Sequence, residues 1–266
     1  MKPIYQPKGR AFEYSPYALN LYTSCSHKCD YCYAPASIHK PKEEYFCIAE
    51  PRKGLVEALE TQCRIEGKTI NEQVLLSFVG DPYTEATDNN LITRHALKIL
   101  LRYDIPTAIL TKGGTSCLKD IDLYEQFGDL IQIGQSITWG NHGGDVVPHE
   151  SGARPIQDRI VALTALKGAG VRTFASFEPV FDPDESLRAM KECAVLGCVD
   201  NYKIGKLNHH PKEHEISWEF FLMRALEIVR PTGMNVYIKK DLREACPNVR
   251  LSENEKDPTR QHVRRK

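Results

Sequence analysis

Three cysteines, Cys25, Cys29 and Cys32, stand in a C-x3-C-x2-C spacing inside the polar stretch Ser24-Cys-Ser-His-Lys-Cys-Asp-Tyr-Cys-Tyr33. Gaps this short let one loop wrap its thiolates around a single inorganic centre. Tetrahedral zinc wants a fourth protein ligand, which His39 or Cys47 could supply, but no second C-x2-C pair follows at zinc-ribbon spacing. An iron–sulfur cubane takes four cysteines as a rule, and with only three it keeps one iron open to an exogenous ligand. Three unrelated buried thiols fit poorly in a loop flanked by Ser, His, Lys and Asp. The chain has nine cysteines in all. An odd number without a secretory h-region argues against a disulfide framework, and the six dispersed cysteines read as small core hydrophobes.

The elements that must hold this loop follow from periodicity. Short apolar runs at 17–22, 74–79, 107–111, 130–138, 172–180, 202–207 and 234–238 predict strands. Amphipathic stretches at 54–67, 91–103, 118–127, 154–167, 184–196 and 216–229 predict helices between them. Alternation of this kind predicts an α/β fold with a parallel sheet: a partial, open β/α barrel of about six β-α units plus a closing strand. Residues 1–250 form one domain, with no Pro/Gly/Ser-rich linker, and 251–266 is a polar, partly basic tail expected to fray. In such folds the loops after the strands' C-terminal ends build the site, and the cysteine loop follows the first strand.

Composition sets outer bounds. Of 266 residues, 41% are hydrophobic and 26% charged, with 35 Lys+Arg against 35 Asp+Glu, an ordinary globular balance. No run approaches the roughly 20 apolar residues of a membrane helix. The expectation is a soluble cytoplasmic protein without an overall electrostatic footprint for nucleic acid; a local basic groove stays open.

The C-x3-C-x-aromatic-C motif of Cys25, Cys29, Tyr31 and Cys32 resembles the signature of the radical S-adenosylmethionine (SAM) superfamily. Gly9-Arg-Ala-Phe-Glu-Tyr-Ser15, Asn20-Leu-Tyr-Thr-Ser-Cys25, Ser77-Phe-Val-Gly-Asp-Pro-Tyr-Thr-Glu85, Leu110-Thr-Lys112, Ser136-Ile-Thr138 and Arg159 extend it to the spore photoproduct lyase-like branch, often labelled DNA repair photolyase. The resemblance implies that Cys25, Cys29 and Cys32 hold a 4Fe–4S cluster whose open iron chelates SAM. Reductive cleavage of SAM then gives a 5′-deoxyadenosyl radical that takes a hydrogen atom from substrate. It also implies a reducing partner such as flavodoxin or ferredoxin, and admits a nucleic-acid substrate.

By the same resemblance Tyr31 contacts the adenine and Tyr33 packs against the cofactor. Lys112 holds the cofactor carboxylate, and Ser136 bonds its ribose or carboxylate. The Gly80-Asp81 loop binds the methionyl amino group with Asp81 or Glu85. Each has a plainer alternative: a core aromatic, a solvated lysine in a Lys-Gly-Gly turn, a backbone-bonded serine, an acidic Asp-Pro turn. Glu178 near the end of the fifth strand must be exposed or paired and is a candidate to face cofactor or substrate; Lys203 and Lys206 on the sixth strand, with Asn208 beyond it, are further pocket candidates. The lyase branch uses a hydrogen-donating cysteine where this chain has Phe78; Tyr83 and Cys117 are the nearest replacements. The competing class is a non-catalytic iron–sulfur or zinc protein, an electron carrier or scaffold.

Overall fold

The computed structural model describes residues 2–76, 78–84, 91–139 and 148–265. Its centre is an eight-stranded sheet in strict chain order, β1 to β8, with ends at β1 and β8. Strand β1 (Ile4–Tyr5) runs antiparallel to β2 (Tyr17–Leu19). From β2 onward every pairing is parallel: β3 (Val74–Leu76), β4 (Thr107–Thr111), β5 (Ile131–Ser136), β6 (Arg172–Phe177), β7 (Asn201–Ile204) and β8 (Asn235–Ile238). Two one-turn helices, α1 (Ala34–Ser37) and α2 (Lys42–Tyr45), precede α3 (Leu55–Glu66) between β2 and β3. The later crossovers carry α4 (Ile92–Arg102), α5 (Ile121–Phe127), α6 (Ile156–Gly168), α7 (Pro183–Leu196) and α8 (Trp218–Val229); α9 (Lys240–Ala245) and α10 (Glu253–Lys256) follow β8. The six β-α units and closing strand expected from periodicity are therefore present, in an open barrel.

Parallel strands covered on both faces read as continuous apolar or small runs, and all six residues of β5 are buried. Alternation divides the faces. In β6, Ala175 and Phe177 join Ile160, Leu163 and Met190 under the helices, while Phe174 meets Leu75 and Ala108 inside the barrel. Each fully buried Leu or Phe of these clusters contributes roughly 1.5–3 kcal/mol. Gly134 on β5 makes room for Phe174, since a Cβ there would lie 2.5 Å from its ring. Helix α7 starts on a local signal: Asp182 caps it by accepting from Glu185 N at 3.1 Å, Pro183 sits in its first turn, and Gly197 ends it at φ +61°.

Two segments outside the repeat complete the barrel. The β1–β2 connection, with a 3-10 turn at Gly9–Glu13, straps across to the β8 edge. There Glu13 accepts from the Tyr237 hydroxyl (2.8 Å), Arg10 pairs with Asp241 (2.8 Å), and Tyr14 donates to Glu178 (2.9 Å). At the opposite end the C-terminal tail is folded in rather than frayed. Gln132 donates to Gln73 and to the Gln261 carbonyl, Gln261 donates to the Tyr202 carbonyl, and Arg265 donates to the carbonyls of Tyr103 and Asp104. Val263 is buried under this layer. The tail supplies partners to polar side chains at the strands' N-terminal ends, which burial would otherwise leave unpaired.

Candidate active site

The cysteine loop leaves the C-terminal end of β2 and is braced from two sides. Ser24 Oγ donates to the Ile48 carbonyl (2.9 Å) and accepts from Glu50 N (3.0 Å), and Cys25 N donates to the Tyr45 carbonyl (3.1 Å). From the other side Cys29 pairs in an isolated bridge with Glu150, and Gly152 N donates to the His27 carbonyl (2.9 Å). Two glycines permit this approach. A Cβ on Gly152 would stand 2.2 Å from the Ser26 carbonyl oxygen. One on Gly80, whose φ is +78°, would stand 2.8 Å from that of Ser24.

Cys25 and Cys29 are buried and Cys32 is half-buried. Burial pushes the Cys29 thiol up to about 12 and raises Cys25 and Cys32 as well; Lys112 partly opposes the rise at Cys29. Among the described residues no three His, Cys, Asp or Glu side chains converge where a single ion would sit. A cubane distributes its thiolates over different irons, so it needs them on one loop without that convergence. The donor set, three neighbouring thiols and no fourth cysteine on the loop, fits a cluster with one open iron. A bound cation lowers thiol pKa and deprotonates coordinating thiols outright, reversing the effect of burial.

Beside the cysteines lies a buried charged network. Glu150 and Arg159 are both 0% exposed, with Arg159 Nη2 on Glu150 Oε2 at 2.6 Å. Arg159 also donates to the carbonyls of Ser136 and Arg154, each at 2.8 Å. The other Glu150 oxygen accepts from the Tyr31 hydroxyl and faces Lys112 Nζ at 3.8 Å. Lys112 Nζ lies 5.6 Å over the Tyr31 ring. Burial alone would lower the Lys112 ammonium, but Glu150 and then Cys29 outweigh it and hold it above the ordinary lysine value. Burial likewise works against the Glu150 carboxylate, yet Arg159, Lys112 and Tyr31 hold its pKa below the usual value.

Cys25, Cys29, Cys32, Tyr31, Gly80, Asp81, Lys112 and Ser136 are thus brought to one end of the barrel. Asp81 is a clamp between loops. It accepts from Thr111 Oγ1 (2.5 Å), Tyr83 N (2.8 Å) and Lys112 N (2.8 Å), and its second oxygen lies 3.4 Å from His27 Nδ1. Its acceptors are taken up in orienting the Lys112 turn and the cysteine loop. Glu85 lies outside the described residues. Tyr33 is 60% exposed, its hydroxyl donating to the Phe78 carbonyl at 3.2 Å. Glu178 belongs to the barrel interior, accepting from Tyr14 and from Lys239 Nζ at 2.5 Å.

Tyr83 and Cys117 are not among the groups facing the cysteines. Both are buried in the core shared by β2–β5 and α3–α5, where Tyr83 donates to Asp120 at 2.9 Å and contacts the Tyr124 hydroxyl. Cys117 accepts from Gln135 at 3.5 Å. Lys206 pairs with Glu213, and Asn208 donates to Asp241. Sequence reasoning did not single out Glu150. Nothing in its local pattern marks it, because its partners come from three other segments.

No family model matches the chain. An uncharacterized protein of Methanocaldococcus jannaschii is 29% identical over 171 residues, 63% of this chain and 61% of that protein. An uncharacterized protein of Mycobacterium tuberculosis is 26% identical over 171 residues, 62% of this chain and 49% of that one. The matches therefore span half to three-fifths of those relatives' length. Among solved structures, Streptococcus suis SuiB bound to S-adenosylmethionine superposes with a TM-score of 0.59 at 14% identity, covering 89% of this chain and 53% of SuiB. SuiB bound to its precursor peptide SuiA gives 0.60 at 14% identity and the same coverage. A radical SAM methyltransferase from Sphaerobacter thermophilus gives 0.50 at 14% identity, covering 84% of this chain and 65% of that enzyme. The chain has the fold of a radical SAM enzyme. No helix of the described residues is long and apolar enough to cross a membrane.

Proposed function

We propose that the chain is a radical SAM enzyme of the spore photoproduct lyase-like branch, cytoplasmic and reduced by a flavodoxin or ferredoxin. The observation that carries this reading is the C-x3-C-x2-C loop at the C-terminal end of the first parallel strand, beside the Lys112–Glu150–Arg159–Tyr31 network. Cys25, Cys29 and Cys32 would hold a 4Fe–4S cluster and leave one iron for the amino and carboxylate groups of SAM. Together the two cofactors supply one-electron cleavage of the sulfonium and hydrogen abstraction from a substrate carbon.

The chain's own residues orient and shield. Lys112 is kept charged by Glu150 and stands ready for a carboxylate. Glu150 and Arg159 fix the Tyr31 hydroxyl and so the plane of its ring, which offers a face to a purine. Asp81 ties the Lys112 turn to Gly80, whose peptide lies against the cysteine loop. Burial of the Cys25 and Cys29 thiols limits water on that side of the site. Phe78, where the lyase branch has its donor cysteine, argues for a reaction other than thymine-dimer reversal. The branch brings nucleic acid as one substrate class, while the balance of 35 basic against 35 acidic residues gives no overall phosphate footprint.

Iron content and SAM binding after anaerobic reconstitution test this reading. Wild type should hold a cluster and bind SAM. Cys25→Ala, Cys29→Ala and Cys32→Ala should lose both, and Cys63→Ala should keep both. Equal iron in all four variants would overturn the ligand assignment, and zinc in place of iron would favour the scaffold alternative.

A further inference from the structure

Among the described residues Lys203 places a charged group inside the barrel without a hydrogen-bond partner. It lies on β7 and is 2% exposed. Register places it opposite Ser176 of β6 and Tyr237 of β8, and Ser176 is itself opposite Ser136 of β5. Lys203 therefore stands in the same transverse row as the serine that the family resemblance assigns to the cofactor. Three aromatic rings surround its ammonium, Tyr14 at 5.2 Å, Tyr237 at 5.7 Å and Phe174 at 6.0 Å to the centroids. Rings stabilise a cation weakly and supply no counter-charge.

The charged neighbours are committed elsewhere or have the wrong sign. Glu178 is paired with Lys239 at 2.5 Å, and Glu13 accepts from the Tyr237 hydroxyl and from Lys240 N. His262, from the C-terminal tail, has neither ring nitrogen hydrogen-bonded among the described residues. Burial, and then Lys239, lower the Lys203 pKa to about 7. A buried ammonium without an anion is costly, and a charge-assisted bond to a carboxylate or phosphate oxygen removes that cost. The nearest wall, Tyr14, comes from the strap rather than from the sheet. Its hydroxyl donates to Glu178 (2.9 Å) and accepts from Ser176 Oγ (2.8 Å).

We propose that Lys203 anchors an anionic group of the substrate, a carboxylate or a phosphate, in the barrel interior beside the Tyr14 strap. This rests on the radical SAM reading for the word substrate, and the anion site itself is tested without SAM. The reconstituted chain is titrated calorimetrically with inorganic phosphate in one arm and acetate in the other. Wild type should bind one of them, phosphate indicating a phosphate-bearing and acetate a carboxylate-bearing substrate. Affinity for that anion should fall at least tenfold in Lys203→Met and stay at the wild-type value in Lys191→Met, an exposed lysine of α7.

A thermal melt separates anchoring from a structural role. Lys203→Met removes an unpaired charge, so its Tm without anion should equal or exceed that of wild type. Anion affinity unchanged in Lys203→Met, or no binding of either anion to wild type, would overturn the proposal. Iron is measured in the same samples: a wild type unable to hold iron would sink the radical SAM reading and leave the anion result standing.

Discussion

Replacing Glu150 by Gln tests whether the buried network is a structural keystone of the site. The side chain keeps its shape and one acceptor oxygen, so Arg159 retains a bond at that position. What is lost is the carboxylate that, among the described residues, bonds Arg159, accepts from Tyr31 and faces Lys112 at 3.8 Å. Breaking a fully buried ion pair from one side costs about 3–5 kcal/mol. Arg159 keeps the carbonyls of Ser136 and Arg154 at 2.8 Å, which argues for the lower end, about 3 kcal/mol. At about 2–4 °C per kcal/mol for a chain of this size, Tm should fall by roughly 6–12 °C. The assay is thermal and urea denaturation of the protein without cofactors, followed by circular dichroism. Glu150→Leu combined with Arg159→Met should recover part of the loss, because an apolar pair carries no desolvation penalty. A Tm within about 2 °C of wild type in Glu150→Gln would refute the reasoning.

Three further outcomes follow from the geometry. Gly80→Ala forces a side chain onto φ +78° with its Cβ 2.8 Å from the Ser24 carbonyl. It should cost about 1–3 kcal/mol in urea denaturation and lower iron retention, because the cysteine loop must move. Truncation after Lys256 removes Gln261 and Val263 and strips Gln73 and Gln132 of partners; urea midpoints should show a loss of about 3 kcal/mol or more. The depressed Lys203 pKa gives a signed pH dependence. The unfolded chain holds this proton up to about 10.4, whereas the folded chain releases it near about 7. The unfolded state therefore binds more protons between those values, and folding stability should rise with pH across that window relative to Lys203→Met. Parallel pH profiles of wild type and variant would contradict the assignment.

Much of the fold was legible because each β-α unit carries its own signals. The glycines at 54 and 67 bracket α3 within a residue of its observed ends, and the stretch expected at 184–196 starts one residue inside α7 and ends with it. The cysteine loop was legible for the same reason, since its donors are adjacent in sequence. What escaped depends on contacts between distant segments. Strand β1 has two residues, too few for a periodicity. The tail looked like a frayed basic end, but Arg265 finds carbonyls more than 160 residues away in the chain. Glu150 is defined by Tyr31, Lys112 and Arg159, none of them its local neighbour. Asp81, one of two acidic candidates for a cofactor contact beside the plainer Asp-Pro turn, bonds Thr111, Tyr83 and Lys112, partners that its own turn does not announce.

The most direct test of the radical SAM reading is 5′-deoxyadenosine formation by the anaerobically reconstituted, dithionite-reduced chain incubated with S-adenosylmethionine. Product should appear above a no-protein control and vanish in Cys32→Ala. A wild type that holds its full iron yet neither binds S-adenosylmethionine nor forms product would contradict the assignment and leave a non-catalytic iron–sulfur protein in its place.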